Sequence, residues 1–366
     1  GFKPMKMPDP DKTILAKRNE IIGAMNKIVK KDNVIVEKKK LAVYESDGLT
    51  AYKQLPLIVV LPETVEQISS VLSYCHQNNV KIVPRGAGTS LSGGALPLAD
   101  GITLGLGKFN QVLEVDYDNR CARVQPGVTN LAISKAVEGN GFYYAPDPSS
   151  QIACTIGGNV AENSGGVHCL KYGLTTNNIL GLEIVLTDGE ILRLGGKHMD
   201  SEGYDLLGLM TGSEGLLGVI TEVTVRILPK PTTATALMVS FNSSEAGGKC
   251  VANIISAGII PGGMEMMDGP AIAAAEAFVQ VGYPVDVGAL LLVELDGPPE
   301  EVDYLIEKVS SIAEALDAIS VRVSENEMEM GVGIHGEPGI KREKLKPAND
   351  LVDDLYKRIM NDSKLK

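Results

Sequence analysis

The chain has 366 residues, of which 44% are hydrophobic and 22% are charged, and its formal net charge at pH 7 is −12. This length and composition predict a globular protein with room for two domains, and the shortage of Lys and Arg excludes a nucleic-acid-binding surface. No apolar run reaches the roughly 18 residues that a membrane span needs, which predicts no transmembrane segment and a cytoplasmic protein, at most peripheral to the inner face of a membrane.

The first predicted elements are a helix and a β-α-β unit. Apolar residues at helical spacing predict one amphipathic helix over residues 11–31. Residues 57–61 predict a buried strand, and a helix is expected from Thr64 to about residue 77, because Thr64 and Gln67 form a capping box. A second strand is predicted over residues 80–83.

Further strand-like runs lead to a proline-rich boundary. They cover residues 102–106, 111–115, 121–124, 179–194 and 219–228, and the fourth run contains the hairpin signal Asp188-Gly189. Pro229 and Pro231 close the last run, because proline cannot donate to a sheet ladder. We therefore expect a domain boundary at this point.

Strands alternate with helices again after the boundary. Strands over 234–241, 288–294 and 319–323, with helices over 244–256 and 300–316, predict a small α+β unit that is part of a ferredoxin-like cap. The texture of the sequence changes at residue 326. The predicted organisation is an N-terminal helical segment over 1–38, a larger domain over 39–230, a partial cap or substrate domain over 231–325, and a foreign-looking tail over 326–366.

Cysteine and histidine spacing indicates neither a disulfide framework nor a metal site. Five cysteines are scattered along the chain without a CxxC pair. None of the four histidines lies at zinc-ligand spacing from them. We therefore predict no bound metal ion.

The densest chemical signal is a glycine-rich run after the strand at 80–83. It reads Pro84-Arg85-Gly86-Ala87-Gly88-Thr89-Ser90-Leu91-Ser92-Gly93-Gly94. Glycines accept positive φ angles and let successive backbone N–H groups converge on an anion such as a pyrophosphate. The alternative is a turn that only connects strands. The run differs from the Rossmann fingerprint, in which the third glycine opens a helix.

Three more polar segments, two of them rich in glycine, weaken that alternative. They cover residues 146–149, 154–166 and 211–220. The pairs Gly157-Gly158 and Gly165-Gly166 are expected to let the chain lie flat against a planar ring. Thr155, Asn159 and Asn163 offer donors and acceptors to the edge of such a ring. Together the four segments predict a site for an anionic dinucleotide.

The same segments resemble one family of flavoproteins. PRGAGTSLSGGALP from Pro84, RVQPGV from Arg123, YYAPDPSSQIACTIGGNVAENSGGVHCLKYG from Tyr143 and LMTGSEGLLGVITEVTV from Leu209 are similar to the FAD-binding polypeptide of glycolate oxidase and to the D-lactate dehydrogenases, of the vanillyl-alcohol oxidase type. The resemblance covers about residues 39–325. It implies an α+β fold, with a two-subdomain FAD-binding domain of the p-cresol methylhydroxylase (PCMH) type followed by an incomplete ferredoxin-like α+β cap.

The resemblance also implies which residues hold FAD. Residues 85–94 would wrap the pyrophosphate, and residues 214–220 would close the site. Residues 146–149, 154–159 and 163–166 would line the adenosine-diphosphate arm and the flavin. The implied cofactor-binding residues are Pro84, Arg85, Gly86, Ala87, Gly88, Thr89, Ser90, Ser92, Gly93, Gly94, Pro146, Asp147, Ser149, Cys154, Thr155, Gly157, Gly158, Asn159, Asn163, Gly165, Gly166, Glu214, Gly215, Gly218, Val219 and Ile220. Some relatives anchor FAD through a histidine where this chain has Thr89, so we expect non-covalent FAD.

The implied reaction is the oxidation of a small 2-hydroxy acid, glycolate or D-lactate, by hydride transfer to the flavin. His168, Lys171 and Tyr172 are candidate catalytic residues, and a structural role for a lone histidine is the alternative. In this family the base and the carboxylate clamp lie mainly in a second half of the cap that this sequence lacks, so a truncated or joined chain is expected. The alternative function is a non-catalytic FAD-binding module that needs partner subunits of a glycolate oxidase-like complex.

The tail resembles a different family. The segment from Asn326 to Ile340, NEMEMGVGIHGEPGI, is similar to the dihydroxyacetone-binding subunit of dihydroxyacetone kinase, in which the histidine matching His335 attaches to the substrate ketone. A diverged form of the flavoprotein family's own GEHGIGREK motif is the alternative interpretation. Dihydroxyacetone binding through the tail is therefore a third hypothesis.

Overall fold

The computed structural model describes residues 7–198, 203–280 and 282–324. The chain divides into two compact units. The first unit contains the residues up to Gly166 together with Gly173–Lys230, and the second contains Val167–Tyr172 and the residues from Pro231 onward. The tail segment with His335 lies outside the described residues, as does residue 326, where the predicted change of texture begins.

The described residues form eleven α-helices and fifteen β-strands. The helices are α1 (Lys12–Ala16), α2 (Arg18–Ile28), α3 (Lys38–Leu41), α4 (Val65–Asn78), α5 (Asn130–Val137), α6 (Ile156–Glu162), α7 (Cys169–Tyr172), α8 (Leu206–Met210), α9 (Ser244–Ser256), α10 (Gly269–Val279) and α11 (Pro299–Glu314). The strands are β1 (Val34–Ile35), β2 (Ile58–Val60), β3 (Lys81–Arg85), β4 (Gly101–Gly105), β5 (Val112–Asp116), β6 (Cys121–Val124), β7 (Phe142–Tyr143), β8 (Ile179–Val185), β9 (Ile191–Gly195), β10 (Val219–Arg226), β11 (Leu228–Pro229), β12 (Thr233–Phe241), β13 (Gly263–Asp268), β14 (Ala289–Gly297) and β15 (Ser320–Val323).

The first sheet of the first unit has the strand order β1-β2-β4-β3. Strands β2 and β3 both run parallel to β4, and β1 is antiparallel to β2. All three residues of β2 are fully buried, as expected for a strand covered on both faces. Helix α4 packs the buried residues Ile68 and Val71 into the same core. Half of its predicted capping box is present: Thr64 Oγ1 accepts from Gln67 N, whereas Gln67 Oε1 accepts from Glu63 N and not from the N-cap residue Thr64.

The second sheet of the first unit is antiparallel and has the order β5-β6-β10-β8-β9. The inward residues of β6 and β10, such as Val124 and Val223, pack against Ile133 of α5 and Val160 of α6. The hairpin predicted at Asp188-Gly189 is confirmed, because β8 pairs with β9 and Gly189 has φ +97°. The predicted strand over 219–228 is broken into β10 and β11, and β11 pairs with β7 instead.

The second unit contains one four-stranded antiparallel sheet with the order β13-β14-β12-β15. Strands β12 to β15 and helices α9 and α11 follow the βαββαβ succession of a ferredoxin-like fold, with α10 inserted between β13 and β14. One face of the sheet buries Leu237, Leu291 and Val293 beneath α9 and α11. The opposite face packs Leu290 and Leu292 against Ile272 of α10.

Several sequence predictions are corrected by these elements. The single helix expected over 11–31 is two helices, because the chain turns at Lys17, which ends α1 and precedes α2. Strand β13 and helix α10 have no counterpart in the predictions, and Gly157-Gly158 lie within helix α6 instead of an extended segment. Among the described residues, no helix is long and apolar enough to cross a membrane.

Candidate functional site

A trough with a cavity volume of about 280 Å³ lies in the first unit and is lined by the three glycine-rich segments, 84–94, 154–166 and 211–220. The predicted residues on its walls are Pro84, Arg85, Gly86, Ala87, Gly88, Thr89, Ser90, Gly94, Cys154, Thr155, Gly157, Gly158, Asn159, Glu214, Gly215, Gly218, Val219 and Ile220. These residues come from the end of β3 and its loop, from the start of α6, and from the turn that leads into β10. Segments far apart in sequence therefore meet at one concave surface.

The first wall is the loop that follows β3, and Arg85 holds it in place. The Arg85 guanidinium donates to the carbonyl oxygens of Ser46 at 2.9 Å and Ala95 at 3.2 Å, and it lies over the ring of Tyr44. Burial lowers the pKa of this guanidinium and the nearby Asp47 carboxylate opposes that shift, although an arginine stays charged in either case. The side chain of Arg85 thus binds the loop to the segment 44–47, which sequence reasoning did not include in the site.

Close packing fixes the same loop against that segment. A Cβ atom added to Gly48 would fall 2.6 Å from the carbonyl oxygen of Ser90. Gly88 has φ +72°, a left-handed backbone conformation that side chains rarely adopt. The glycines of this region therefore allow two stretches of backbone to approach each other closely. The role predicted from the sequence for the glycines of this loop is the binding of an anion.

Thr155 presents a hydroxyl without a protein partner at the floor of the trough. Its Oγ1 atom is buried and makes no hydrogen bond within the described structure. A Cβ atom on Gly86 would lie 2.3 Å from this oxygen, and one on Gly158 would lie 3.5 Å from it. A buried polar atom without a partner costs free energy, and Gly86 is the residue whose missing Cβ atom allows this hydroxyl to approach the first loop.

The second wall is the start of helix α6, whose glycine pair has two separate roles. A Cβ atom on Gly157 would come within 2.6 Å of the Pro126 side chain, so Gly157 allows the helix to approach that loop. Gly158 meets only Thr155 at an ordinary contact distance. The amide of Asn159 donates to Cys154 Sγ at 3.3 Å, so its hydrogen-bonding groups are used within the wall.

Two carboxylates line the part of the trough beside Gly94. Glu162 Oε1 lies 3.0 Å and Glu214 Oε2 lies 3.9 Å from the Cβ position of Gly94. Glu214 itself has φ +53°, a conformation seldom taken by residues other than glycine. Carboxylates accept hydrogen bonds from hydroxyl groups and repel phosphates, so this part of the trough suits the neutral part of a ligand.

Some predicted site residues lie away from the trough surface: Ser92, Gly93, Pro146, Asp147, Ser149, Asn163, Gly165 and Gly166. They shape the loops behind it. Asn163 ends α6 in a left-handed conformation and accepts from Thr176 N, and a Cβ atom on Gly166 would collide with Asp147. The trough residues that sequence reasoning missed are Leu91, Ala95, Leu106, Pro126, Ser150, Ala161, Glu162 and Ser164.

The three candidate catalytic residues lie in the second unit and are bound to two buried carboxylates of β14. His168 Nε2 lies 3.1 Å from Glu294 Oε1. Lys171 Nζ donates to Asp296 Oδ1 at 2.6 Å, and the Tyr172 hydroxyl donates to Asp296 Oδ2. We call these five residues the cap cluster. Glu294 and Asp296 were not predicted, because only the fold brings residues some 125 positions apart together.

Two other histidines of the described chain lie outside the trough and the cap cluster. His76 and His198 are exposed. Within residues 7–198, 203–280 and 282–324, no group of three or more His, Cys, Asp or Glu side chains has the arrangement of a metal site. Burial raises the pKa of the Cys75 thiol to about 12, which leaves it protonated at neutral pH.

Three known protein families match parts of the chain. Residues 56–195 match the FAD binding domain family, and residues 230–332 match the C-terminal domain of FAD linked oxidases. Residues 305–366 match the Dak1 domain, which agrees with the resemblance of the tail to dihydroxyacetone kinase.

The curated relatives of the chain include a glycolate oxidase subunit and a D-lactate dehydrogenase. The chain is 53% identical over 325 residues to the glycolate oxidase subunit GlcD of Escherichia coli K12, an alignment covering 88% of this chain and 64% of the relative. It is 34% identical to a D-lactate dehydrogenase of Anaerostipes hadrus, over 77% of this chain and 61% of the relative. The chain therefore spans a little under two thirds of the length of these relatives.

Solved structures agree on the fold. p-Cresol methylhydroxylase superposes with a TM-score of 0.75 at 18% identity, covering 93% of this chain and 73% of that chain. Alkyldihydroxyacetonephosphate synthase superposes with a TM-score of 0.73 at 21% identity, covering 88% of this chain and 63% of that chain. The PCMH-type fold predicted from the sequence is confirmed.

Proposed function

Given that the chain belongs, over residues 56–195 and 230–332, to the FAD-linked oxidases, we propose that it binds FAD non-covalently in the trough and oxidises a small 2-hydroxy acid. Glycolate and D-lactate are the proposed substrates, since one curated relative is named a glycolate oxidase subunit and another a D-lactate dehydrogenase. The activity is a proposal for this chain, because the chain covers 64% of the glycolate oxidase subunit.

The Thr155 hydroxyl carries the cofactor assignment. It is a buried polar atom without a partner, it faces the side-chain-free positions of Gly86 and Gly158, and it lies in the trough formed by the family's FAD-binding segments. A ligand oxygen or nitrogen within hydrogen-bond distance would satisfy the hydroxyl, and the absence of a Cβ atom at Gly86 is what lets the hydroxyl lie against the loop after β3. The residues present therefore fit the cofactor that the family implies.

Each wall of the trough has a proposed task. The backbone N–H groups of residues 86–90 bind the diphosphate, and Arg85 keeps their loop in position through Ser46 and Ala95. Glu162 and Glu214, which lie beside Gly94, accept from hydroxyl groups of the cofactor. The bound flavin would supply the acceptor for the hydride, which no protein side chain can provide.

His168 is the proposed acceptor of the hydroxyl proton. An imidazole hydrogen-bonded to a carboxylate can take up a proton because the carboxylate compensates the resulting charge, and Glu294 stands in that relation to His168. Lys171 and Tyr172 share the Asp296 carboxylate, and we assign them to anchoring the segment.

An absorbance spectrum of the purified chain tests the proposal. We expect a flavin spectrum after reconstitution with FAD, release of the flavin on acid precipitation, and bleaching by glycolate or D-lactate under anaerobic conditions. Propionate, which has a carboxylate but no 2-hydroxyl group, should leave the spectrum unchanged. A protein that stays colourless after reconstitution would exclude the assignment of the trough.

The partial coverage of the relatives favours a second candidate function. A chain spanning 64% of its relative can bind the cofactor and yet need another polypeptide, such as a partner subunit of a glycolate oxidase-like complex, to complete the catalytic groups. In that case FAD binds, and neither hydroxy acid bleaches it. The Dak1 match supports a third test, in which a covalent mass adduct of dihydroxyacetone at His335 would assign ketone binding to the tail.

A further inference from the structure

Asn130 lies behind the trough, outside every glycine-rich segment. It is the first residue of α5, and its side chain is 1% exposed. Its Nδ2 atom donates to the carbonyl oxygen of Pro146 at 2.9 Å and to Asn159 Oδ1 at 3.2 Å. The buried side-chain amide of Asn130 thus joins residues 146–149 to residues 154–166.

Backbone hydrogen bonds also connect the residues around Asn130 to the start of α6. Asn130 N donates to the carbonyl oxygen of Cys154 at 3.0 Å, and Ile156 N donates to that of Val128 at 2.9 Å. The stretch before α5 therefore runs beside the start of the α6 wall. Asn130 is the point at which side-chain and backbone hydrogen bonds to this wall meet.

The contacts of Asn130 determine which way the Asn159 amide faces. Asn159 Oδ1 accepts from Asn130, and Asn159 Nδ2 donates to Cys154 Sγ at 3.3 Å. A reversed Asn159 amide would put its NH2 group against the Asn130 NH2 group, two donors facing each other. Asn159 and Cys154 both line the trough, so the orientation set by Asn130 reaches its surface.

We propose that Asn130 is a positioning residue of the dinucleotide site and acts through Asn159. The inference rests on the proposed function, since it assigns a role in holding FAD. It predicts that loss of the Asn130 amide weakens FAD binding and alters the visible spectrum of the bound flavin, because the Asn159 amide and Cys154 thiol are then free to turn.

A double-mutant cycle with Asn130→Ala and Asn159→Ala tests the proposal. We expect each single variant to raise the Kd for FAD about tenfold, the effect of losing one net buried hydrogen bond, and the double variant to show about the same tenfold change. A hundredfold change in the double variant would mean that the residues act independently and would overturn the proposal. So would a wild-type Kd in Asn130→Ala.

Two further variants separate positioning from folding. Asn33 is another buried asparagine of the first unit, whose Oδ1 accepts from Lys108, and Asn33→Ala should lower the unfolding temperature while keeping the wild-type Kd and spectrum. Asn130→Ser keeps one donor and should bind FAD with an intermediate Kd. If both Asn130 variants fail to fold, the residue supports the fold rather than the site, which overturns the proposal. If the wild-type chain binds no FAD, the proposed function itself fails.

Discussion

The Nη2 atom of Arg85 occupies the space into which a side chain at Gly88 would project, because a Cβ atom built on Gly88 falls 2.3 Å from it. Gly88→Ala must displace the guanidinium from Ser46 and also adopt a left-handed backbone. We expect a loss of about 1–3 kcal/mol of stability and at least tenfold weaker FAD binding. Thermal unfolding and FAD titration measure both. Gly107→Ala, at a glycine with open space and an ordinary φ, is the control and should match the wild type.

Thr155→Val removes the hydroxyl that has no protein partner. The apoprotein should gain about 1 kcal/mol or stay unchanged, because a buried unsatisfied group is lost, whereas the Kd for FAD should rise about tenfold. Thr103 offers the matched control, since its Oγ1 is also buried without a partner but lies in β4 outside the trough surface. Thr103→Val should have the same effect on stability and none on Kd. Equal Kd values in all three proteins would contradict the role of Thr155.

Lys171→Met leaves the Asp296 carboxylate of the cap cluster without its ammonium partner. Asp296 is 3% exposed and Lys171 31% exposed, so we expect a loss of roughly 2–3 kcal/mol, somewhat less than for a fully buried pair. Urea unfolding should detect it. Lys249→Met breaks the exposed pair with Glu245 on α9 and should leave the free energy of unfolding close to that of the wild type, because solvent screens such a pair. Similar losses in the two variants would argue against an anchoring role.

His168→Gln should separate chemistry from binding. The proposed role predicts FAD binding within twofold of the wild type, together with at least a hundredfold slower bleaching by the hydroxy acid, since a positioned base contributes about 10²–10⁴-fold. Stopped-flow absorbance measures the rate. His76→Gln changes an exposed histidine and serves as the control. An undiminished rate in His168→Gln would assign His168 to structure alone.

Lowering the pH should reduce the stability of the first unit, because the Glu63 carboxylate becomes protonated. The Lys108 and Lys30 side chains hold the pKa of the Glu63 carboxyl at about 2, below its ordinary 4.5. A pKa lowered by folding means that the stabilisation is complete above about pH 4.5 and is lost as the pH falls towards 2. Urea midpoints measured across this window should fall less steeply for Glu63→Gln than for the wild type. Parallel curves would contradict the assignment.

The parts of the fold that follow from local chemistry were predicted from the sequence. The α4 cap and the β8–β9 hairpin depend on residues within a few positions of one another, such as Thr64 with Gln67. Strand β13 was missed because its pattern, GMEMMD, mixes exposed and half-buried residues and shows no clear alternation. Helix α6 was missed because a glycine pair favours a loop until Pro126 is known to pack against Gly157.

The site was predictable as a set of segments and not as a set of contacts. Glycine-rich runs can be recognised from the sequence alone. The direction of the Arg85 side chain cannot, because it depends on carbonyl groups of Tyr44 and Ser46, about 40 residues earlier. The same holds for Asn130, a single polar residue at the start of a helix with no motif of its own. Long-range partners of this kind carry no local signal.

Helix α7 belongs to the second unit although the chain on either side of it belongs to the first. During synthesis the ribosome therefore releases residues 167–172 long before it makes Glu294 and Asp296, with which they pair. These contacts can therefore form only after β14 has been synthesised. Cutting the gene after residue 230 would leave His168, Lys171 and Tyr172 on one fragment and their carboxylates on the other, so neither half would carry the cluster intact.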